Sequence, residues 1–463
     1  MAYLLNTPDQ QQEMLQQIGV ESIADLFQTI PEHLQLKRDL EMGPALTEME
    51  CDQKLSELNR SIESVQSHLC FQGGGAYDHF IPAAVDELAG RGEFYTAYTP
   101  YQSEASQGTL QAFFEYQTLV CQLTGMDVSN GSLYEAATAV TEAILMAMRS
   151  NRREQKVVFA AGVHPEYVQT ATTYLHHTQT ELISAEPDGT HTSLETIEQH
   201  LDEQTACVVI QHPNFFGTLE DVSAIAEKAH AVGALVVMIF DPLSLGVLKR
   251  PGDLGADIAV AEGQGLGIPL QYGGPYLGIM ACKKQFMRKM PGRLIGQTTD
   301  RNGKRSFVLN LQAREQHIRR DKATSNICTN QGLMALRSAI YLSLLGPQGV
   351  REVGERCVQN AHYAATCIDQ IDDFRVVSDR PFFKEFVVRC TLPRQDVIAA
   401  GQKYGLRVGP WLTDVGTTGL PDQEQLFLVA VTEKRSRQDI DRLVEALRSC
   451  ANTANAAVYS SAH

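Results

Sequence analysis

Lysine is scarce in this chain: of 463 residues, 39 are Lys or Arg and only 13 of those are Lys. That scarcity matters because several cofactors are held as Schiff bases on a lysine amine. Tryptophan occurs once, at Trp411, and aromatics make up 7 %. The ten Cys include no Cys-x-x-Cys pair, and neither His-x-x-x-His nor His-Glu-x-x-His occurs. No dedicated metal site is therefore expected, and the dispersed thiols read as free in a reducing cytoplasm. No apolar run approaches the roughly 18 residues that span a bilayer. The opening Met1-Ala-Tyr-Leu-Leu-Asn6 lacks the basic region of a signal peptide, so a cytoplasmic location is expected. Positive charge is also in deficit, 39 against 55 acidic residues for a net −16. Such a balance argues against non-specific binding to nucleic acid or anionic membranes. The remainder, 43 % apolar and 20 % charged, is ordinary for a folded globular protein.

Four regions are expected: a helical arm over 1–65, a large α/β domain over 66–335, a small α+β domain over 336–455 and a tail over 456–463. In the arm, Thr7 caps a helix with Pro8 in its first turn and Gly19 at its end, and Thr47 with Glu50 forms a capping box. Ser132-x-x-Glu135 reads as a further capping box, opening an Ala- and Met-rich helix through Met148. Strands and helices then alternate. Lys156–Ala160, Ala206–Ile210, Ala234–Phe240 and Asp257–Ala261 are apolar runs of strand length, with helices at His164–Leu175 and Leu219–Ala231 between them. Near-continuous apolar strands joined by helices imply a mostly parallel sheet buried on both faces. Ligands of such sheets sit beyond the carboxyl ends of the strands. The last third differs, with helices near Leu333–Leu345 and Val350–Ile371, strands at Glu385–Arg389 and Gln425–Val431, and a helix at Arg437–Arg448.

Several residues at those carboxyl ends carry chemistry. His212-Pro-Asn214 follows one strand, Asp241 the next, and Gly263-Gln-Gly-Leu-Gly267 the third. The glycine run lacks the third glycine of a dinucleotide fingerprint, since Ile268 and Pro269 follow, so it reads as a close-packed turn. An Asp at the end of an apolar strand is the group that pairs with the pyridinium nitrogen in pyridoxal-phosphate enzymes; the alternative is a turn Asp. The same layout demands a lysine after the following strand, and Glu262–Pro269 contains none. The nearest in sequence are Lys249 and the Lys283-Lys284 pair. Glu93–Gln102 gathers Tyr95, Thr96, Tyr98, Thr99 and Tyr101, suited either to orienting a small polar ligand or to anchoring an interface. Arg314–Asn326 concentrates Arg314, Arg319, Arg320 and Lys322 beside His317, Thr324, Ser325 and Asn326. It is either an anion or interface site or a solvated charged face.

At these residues the chain resembles a known family. Gly75-Ala-Tyr-Asp-His79, Glu93–Gln102, Ser106–Gln111, Gln271-Tyr-Gly-Gly-Pro275, Met290-Pro-Gly-Arg293 and Arg314–Thr329 are similar to the N-terminal half of the glycine cleavage system P-protein. The resemblance implies the α/β architecture of fold type I pyridoxal-phosphate transferases. It further implies a degenerate half whose cofactor pocket, around His212, Asn214, Asp241 and Gly265, has Gly265 where the lysine would stand. The cofactor would then belong to a second subunit, in a heterotetramer of two unlike pairs. Together they would decarboxylate glycine and pass the aminomethyl group to the lipoyl arm of the H-protein. The tyrosines would form one wall of a shared site. Two stretches depart from the family pattern. Glu262-Gly-Gln-Gly-Leu-Gly267 stands for Ser-Ala-Gln-Arg-Phe-Gly, and Tyr134-Glu-Ala-Ala-Thr-Ala139 for Tyr-Asp-Gly-Ala-Thr-Ala.

Overall fold

The computed structural model describes residues 5–323, 325–378 and 380–461, with 454–461 described by backbone alone. Two compact units divide between residues 63 and 64. In the first, helix α1 (Pro8–Ile18) starts at the expected Thr7 cap, which Gln10 completes into a capping box. The Thr7 hydroxyl accepts from the Gln10 N–H at 3.3 Å, the Gln10 side chain accepts from the Thr7 N–H at 2.9 Å, and Gly19 closes the helix at φ +86°. Helix α2 (Glu48–Arg60) repeats the device with Thr47 and Glu50. Leu15 is the one buried side chain among the described residues of this unit.

The second unit is built on a seven-stranded sheet. Its strands are β1 (Val128–Ser129), β2 (Lys156–Phe159), β3 (Glu181–Ser184), β4 (Thr205–His212), β5 (Leu235–Phe240), β6 (Ile258–Glu262) and β7 (Gly278–Cys282). Their spatial order is β1-β7-β6-β5-β4-β2-β3, with β3, β2, β4, β5 and β6 mutually parallel and β7 antiparallel to both β6 and β1. The period of two sorts the apolar runs onto two cores. Val236, Met238 and Phe240 face one core with helices α3 (Gln107–Thr124) and α4 (Val222–Ala231), while Val237 and Ile239 face the other. The Ala- and Met-rich helix, here α5 (Ala136–Asn151), fills the second core with Ala139, Val140, Ala143 and Ala147.

One capping assignment is corrected. Helix α5 is capped by Glu135, whose carboxylate accepts from the Thr138 N–H at 2.9 Å. Ser132 has φ +118° and its hydroxyl accepts instead from the Gln331 N–H at 3.1 Å. A tertiary partner has taken the hydroxyl that the local pattern assigns to the helix.

A three-stranded antiparallel sheet of β8 (Phe374–Val376), β9 (Glu385–Cys390) and β10 (Leu426–Ala430) packs against α6 (Gly332–Ile368) and α7 (Arg437–Ser461). Helix α6 is two helices joined at a kink, broken where Gly346 (φ 59°, ψ −178°) precedes Pro347, as the split sequence pattern implies. Helix α7 continues to Ser461 through most of the segment assigned to the tail, and residues 462 and 463 lie outside the described residues. The approach to β9 fixes the site. Phe382 bridges Thr218 in the loop after β4, and the Phe383 N–H donates to the Gly217 carbonyl at 3.2 Å. Gly217 sits at φ +83°, and a Cβ there would lie 1.7 Å from the Glu385 carbonyl oxygen. This contact delivers Lys384 and Glu385 onto the carboxyl ends of β4, β5 and β6.

Candidate active site, a filled pocket and an exposed tyrosine face

The pocket beyond β4, β5 and β6 is filled by the chain's own charges. Asp241 follows β5, and its Oδ1 accepts from the N–H groups of Leu243 (2.9 Å) and Ser244 (3.2 Å). Its Oδ2 meets the Lys384 ammonium at 2.6 Å. Burial alone raises the pKa of this carboxyl, but the Lys384 charge and hydrogen bond outweigh it and hold the group below its ordinary value. The Lys384 ammonium is 3 % exposed on its side chain, lies 3.7 Å from the centroid of the Tyr77 ring and donates to His79 Nε2 at 2.9 Å. An ammonium has no acceptor capacity, so Nε2 is the unprotonated nitrogen and Nδ1–H donates to Glu433 Oε2 at 2.6 Å. Burial opposes the charge on Glu433, yet His79 and the Phe80 N–H bring its pKa down to about 2. Cys357, His79 and Glu433 have ligand-type atoms within 4.8 Å of one another. Both His79 nitrogens are engaged by protein partners, which leaves neither for a metal.

A second layer surrounds this chain of charges. The Tyr77 hydroxyl donates to Glu385 Oε2 at 2.7 Å, and Glu385 Oε1 accepts from the Gly74 N–H at 2.7 Å. Gln264 clasps the Tyr77 backbone, accepting from its N–H at 2.8 Å and donating to its carbonyl at 3.0 Å. At the N-terminus of α5, Glu262 Oε2 accepts from the Ala136 N–H at 3.1 Å, while Oε1 accepts from Gln264 and Leu277 at 3.0 Å each. Burial pushes the Glu262 and Glu385 carboxyls up to about 7.

What is left is a void of about 50 Å³, bordered by Asn214, Asp241, Gly265, Tyr77, Lys384 and Glu262 among others. A void of that size has room for a few waters. Pyridoxal phosphate does not fit these residues. Its ring nitrogen would meet Asp241 already paired with an ammonium. Its phosphate would meet Glu262, which already occupies the helix N-terminus. No lysine stands at Gly265, where a Cβ would lie 3.3 Å from the His79 ring. The lysine nearest in space is Lys384, not Lys249 or the Lys283-Lys284 pair that are nearest in sequence.

Of the four residues expected around the pocket, Asn214, Asp241 and Gly265 border the void and His212 does not. His212 Nδ1 accepts from the Glu220 N–H at 3.0 Å, and burial lowers its pKa to about 4. Asn214 spends its amide on the Thr190 carbonyl and Glu220, both at 2.8 Å, and on the N–H groups of Phe216 and Thr218. Lys384, His79, Glu433 and Glu385 carry no functional mark of their own in the sequence, and Glu262 enters it only as the first residue of a stretch that departs from the family pattern. His79 stands inside a family-matching stretch, which is the one signal that pointed near it.

The tyrosine loop forms a second feature that shares no bordering residue with the first. Tyr95, Tyr98 and Tyr101 are 60 %, 80 % and 55 % exposed. Thr96 donates its hydroxyl to the Gly92 carbonyl, while Thr99 borders a cleft of about 120 Å³ with Tyr95, Tyr98 and Phe113. Buried Arg293 ties the loop down, donating to the Asn330 side chain (3.0 Å), the Cys328 carbonyl (2.9 Å) and the Tyr101 hydroxyl (3.3 Å). The Tyr101 and His317 rings meet edge-on at 6.5 Å, so the loop and the 314–326 segment form one face. Within that segment Arg314 donates to the carbonyls of Leu311 and Gly292, His317 lies 3.6 Å from Glu315, and Ser325 accepts from the Ile327 N–H. Arg319, Arg320, Lys322 and Asn326 are exposed; Thr324 lies outside the described residues.

Glu385 makes the pocket's electrostatics measurable. Its folded pKa of about 7 exceeds the ordinary value, so between about pH 4.5 and 7 the folded state binds more protons than the unfolded one. Stability therefore falls as pH rises through that window. Glu385→Gln keeps partners for Gly74 and Tyr77 while removing the charge. It is expected to be more stable than the parent by about 2 kcal/mol near pH 8, the gap closing near pH 5. Urea unfolding at the two pH values checks this; a gap independent of pH would assign the effect to packing.

The chain matches the family described as "Glycine cleavage system P-protein" over residues 1–447. It is 47 % identical over 451 residues to the "Probable glycine dehydrogenase (decarboxylating) subunit 1" of Desulforamulus reducens, covering 96 % of this chain and 99 % of the relative. It superposes with TM-score 0.88 and 42 % identity on a crystal structure of glycine decarboxylase, the P-protein of the glycine cleavage system, in an inhibitor-bound form. That match covers 97 % of this chain and 100 % of the other. A cysteine desulfurase from Thermococcus onnurineus, at 14 % identity, shares the fold with TM-score 0.63 over 89 % of this chain and 100 % of that one.

Proposed function

This chain belongs to the glycine cleavage system P-protein family, and on that premise we propose that it is the subunit of a glycine-decarboxylating enzyme that leaves the cofactor to its partner. The filled pocket is the observation that carries this reading: Lys384 stands on Asp241 at 2.6 Å, in a fold whose relatives include glycine decarboxylase. In the assembled enzyme, a heterotetramer of two unlike pairs, pyridoxal phosphate belongs to the second subunit. There it supplies the electron sink for decarboxylation. The lipoyl arm of the H-protein accepts the aminomethyl group. No helix of the described residues is long and apolar enough to cross a membrane.

In this reading the chain's own contribution is the tyrosine face. Tyr95, Tyr98 and Thr99 present hydroxyls at an exposed cleft. Seated against the partner, they orient the glycine-derived group and exclude water from it. Arg319, Arg320 and Lys322, exposed in a chain of net charge −16, receive an anionic group or an acidic partner surface beside it.

Mixing this chain with its partner subunit and measuring glycine–bicarbonate exchange tests the proposal, each subunit alone serving as control. Exchange is expected only from the mixture. Tyr98→Phe removes one hydroxyl and should lower exchange about tenfold, the worth of one hydrogen bond. Tyr95→Phe should act in the same direction, with assembly by gel filtration unchanged in both. If both variants assemble and exchange at the parental rate, the chain is a scaffold that only stabilises its partner.

A further inference from the structure

The absence of a lysine at Gly265 explains why this chain forms no Schiff base there, but not why its pocket is shut. A pocket that had merely lost its lysine would still offer Asp241 to a ring nitrogen and a helix N-terminus to a phosphate. Here both positions are taken by side chains, an ammonium at Asp241 and a carboxyl that accepts from backbone N–H groups at the helix N-terminus. The Lys384 ammonium stands on Asp241 Oδ2 at 2.6 Å, lies 3.7 Å from the Tyr77 ring centroid and is held by His79 Nε2 at 2.9 Å. The Glu262 carboxylate accepts from Ala136 in the first turn of α5, a helix of 16 residues whose positive end attracts an anion. Both side chains border the same 50 Å³ void. They come from different parts of the fold, Lys384 from the entry to β9 and Glu262 from the end of β6.

We infer that Lys384 and Glu262 are built-in stand-ins for the pyridinium and the phosphate oxygens of pyridoxal phosphate. Lys384 replaces the pyridinium at Asp241, Glu262 replaces the phosphate at the helix N-terminus, and together they exclude the cofactor. Exclusion has a consequence for the enzyme. Cofactor added to the mixed subunits goes to one class of site, and the pocket of this chain holds the two sheets together in its absence. The inference rests on the reading that the cofactor belongs to the partner, and the test below separates the two.

The probe is pyridoxine 5′-phosphate, which carries both charges but no aldehyde and so cannot label surface lysines. Calorimetric titration into the isolated full-length chain is expected to show no binding to the parent protein. Lys384→Ala combined with Glu262→Ser should bind it, and adding Asp241→Ala to that pair should abolish the binding again. Binding to the parent that disappears with Asp241→Ala overturns the inference, as does the double variant folding by circular dichroism yet failing to bind. If the double variant does not fold, Gly265→Lys in the otherwise unaltered chain decides. With pyridoxal phosphate and borohydride, peptide mass spectrometry should find no pyridoxyl label at position 265, because Lys384 and Glu262 remain. A label there overturns the inference. Exchange by the mixed subunits, absent from either alone, tests the proposed function by a separate readout.

Discussion

Lys384→Met is expected to cost roughly 3–5 kcal/mol of stability, the penalty for leaving one half of a buried ion pair uncompensated. The side chain keeps nearly the same length, so the loss is electrostatic rather than a cavity. Lys384 is 3 % and Asp241 16 % exposed on their side chains, and water cannot replace the lost ammonium without entering the void. His79 also loses its donor, although Glu433 still holds its other nitrogen. Asp241→Asn in the same chain should restore much of the loss, because two neutral groups then face each other; Asp241→Asn alone should cost nearly as much as Lys384→Met. That non-additivity is the signature of a pair. The pH dependence has a definite sign. The folded pKa of Asp241 lies below its ordinary value, so the pair's contribution is present above about pH 4 and fades as the pH falls through the lower folded value. Urea unfolding of the four chains near pH 7 reads the cycle. If the two single losses simply add in the double variant, Lys384 and Asp241 are not coupled.

The parts of the fold legible from sequence are those whose causes are local. Thr7 and Thr47 cap helices because the hydroxyl and the N–H it serves are three residues apart. Strand β5 reads as a strand because its residues Leu235–Phe240 are all apolar, and they are apolar because both faces of the sheet are covered. The Gly346-Pro347 break announces itself through the chemistry of proline. Ser132 misleads for the opposite reason. Its pattern with Glu135 is local, but its hydroxyl is claimed by Gln331, 199 positions away.

The same contrast runs through the site. Asp241 was legible, since an acid ending an apolar strand sits where ligands of parallel sheets bind. Its partner was not. Nothing around Lys384 distinguishes it from any lysine before a strand, and only the packing of Phe382 and Phe383 on Thr218 and Gly217 carries it to β5. An absence at Gly265 was therefore readable, and the filling of the space was not. His212 shows the reverse case, a polar residue at the right strand end whose ring turns to the Glu220 backbone and away from the void.

Arg293→Ala is expected to lower glycine–bicarbonate exchange of the mixed subunits about 100-fold, although Arg293 reaches no surface where a substrate could touch it. The residue is 2 % exposed. One guanidinium joins three places in the chain, the Tyr101 hydroxyl at 3.3 Å, the Cys328 carbonyl at 2.9 Å and the Asn330 side chain at 3.0 Å. It also lies 5.7 Å from the Tyr101 ring centroid. Asn330 passes the restraint on, donating to the Gly131 carbonyl at 2.8 Å. Without this clamp Tyr95, Tyr98 and Thr99 keep their chemistry and lose their placement, and a misplacement of about 1 Å suffices for a 100-fold loss. Arg293→Lys should recover only part of it, because a compact ammonium cannot serve three acceptors that a planar fork reaches together. Gel filtration distinguishes lost positioning from lost assembly. If the Arg293→Ala complex assembles and exchange stays within about threefold of the parent, a ΔΔG‡ of under about 0.7 kcal/mol, the tyrosine face does not depend on the clamp.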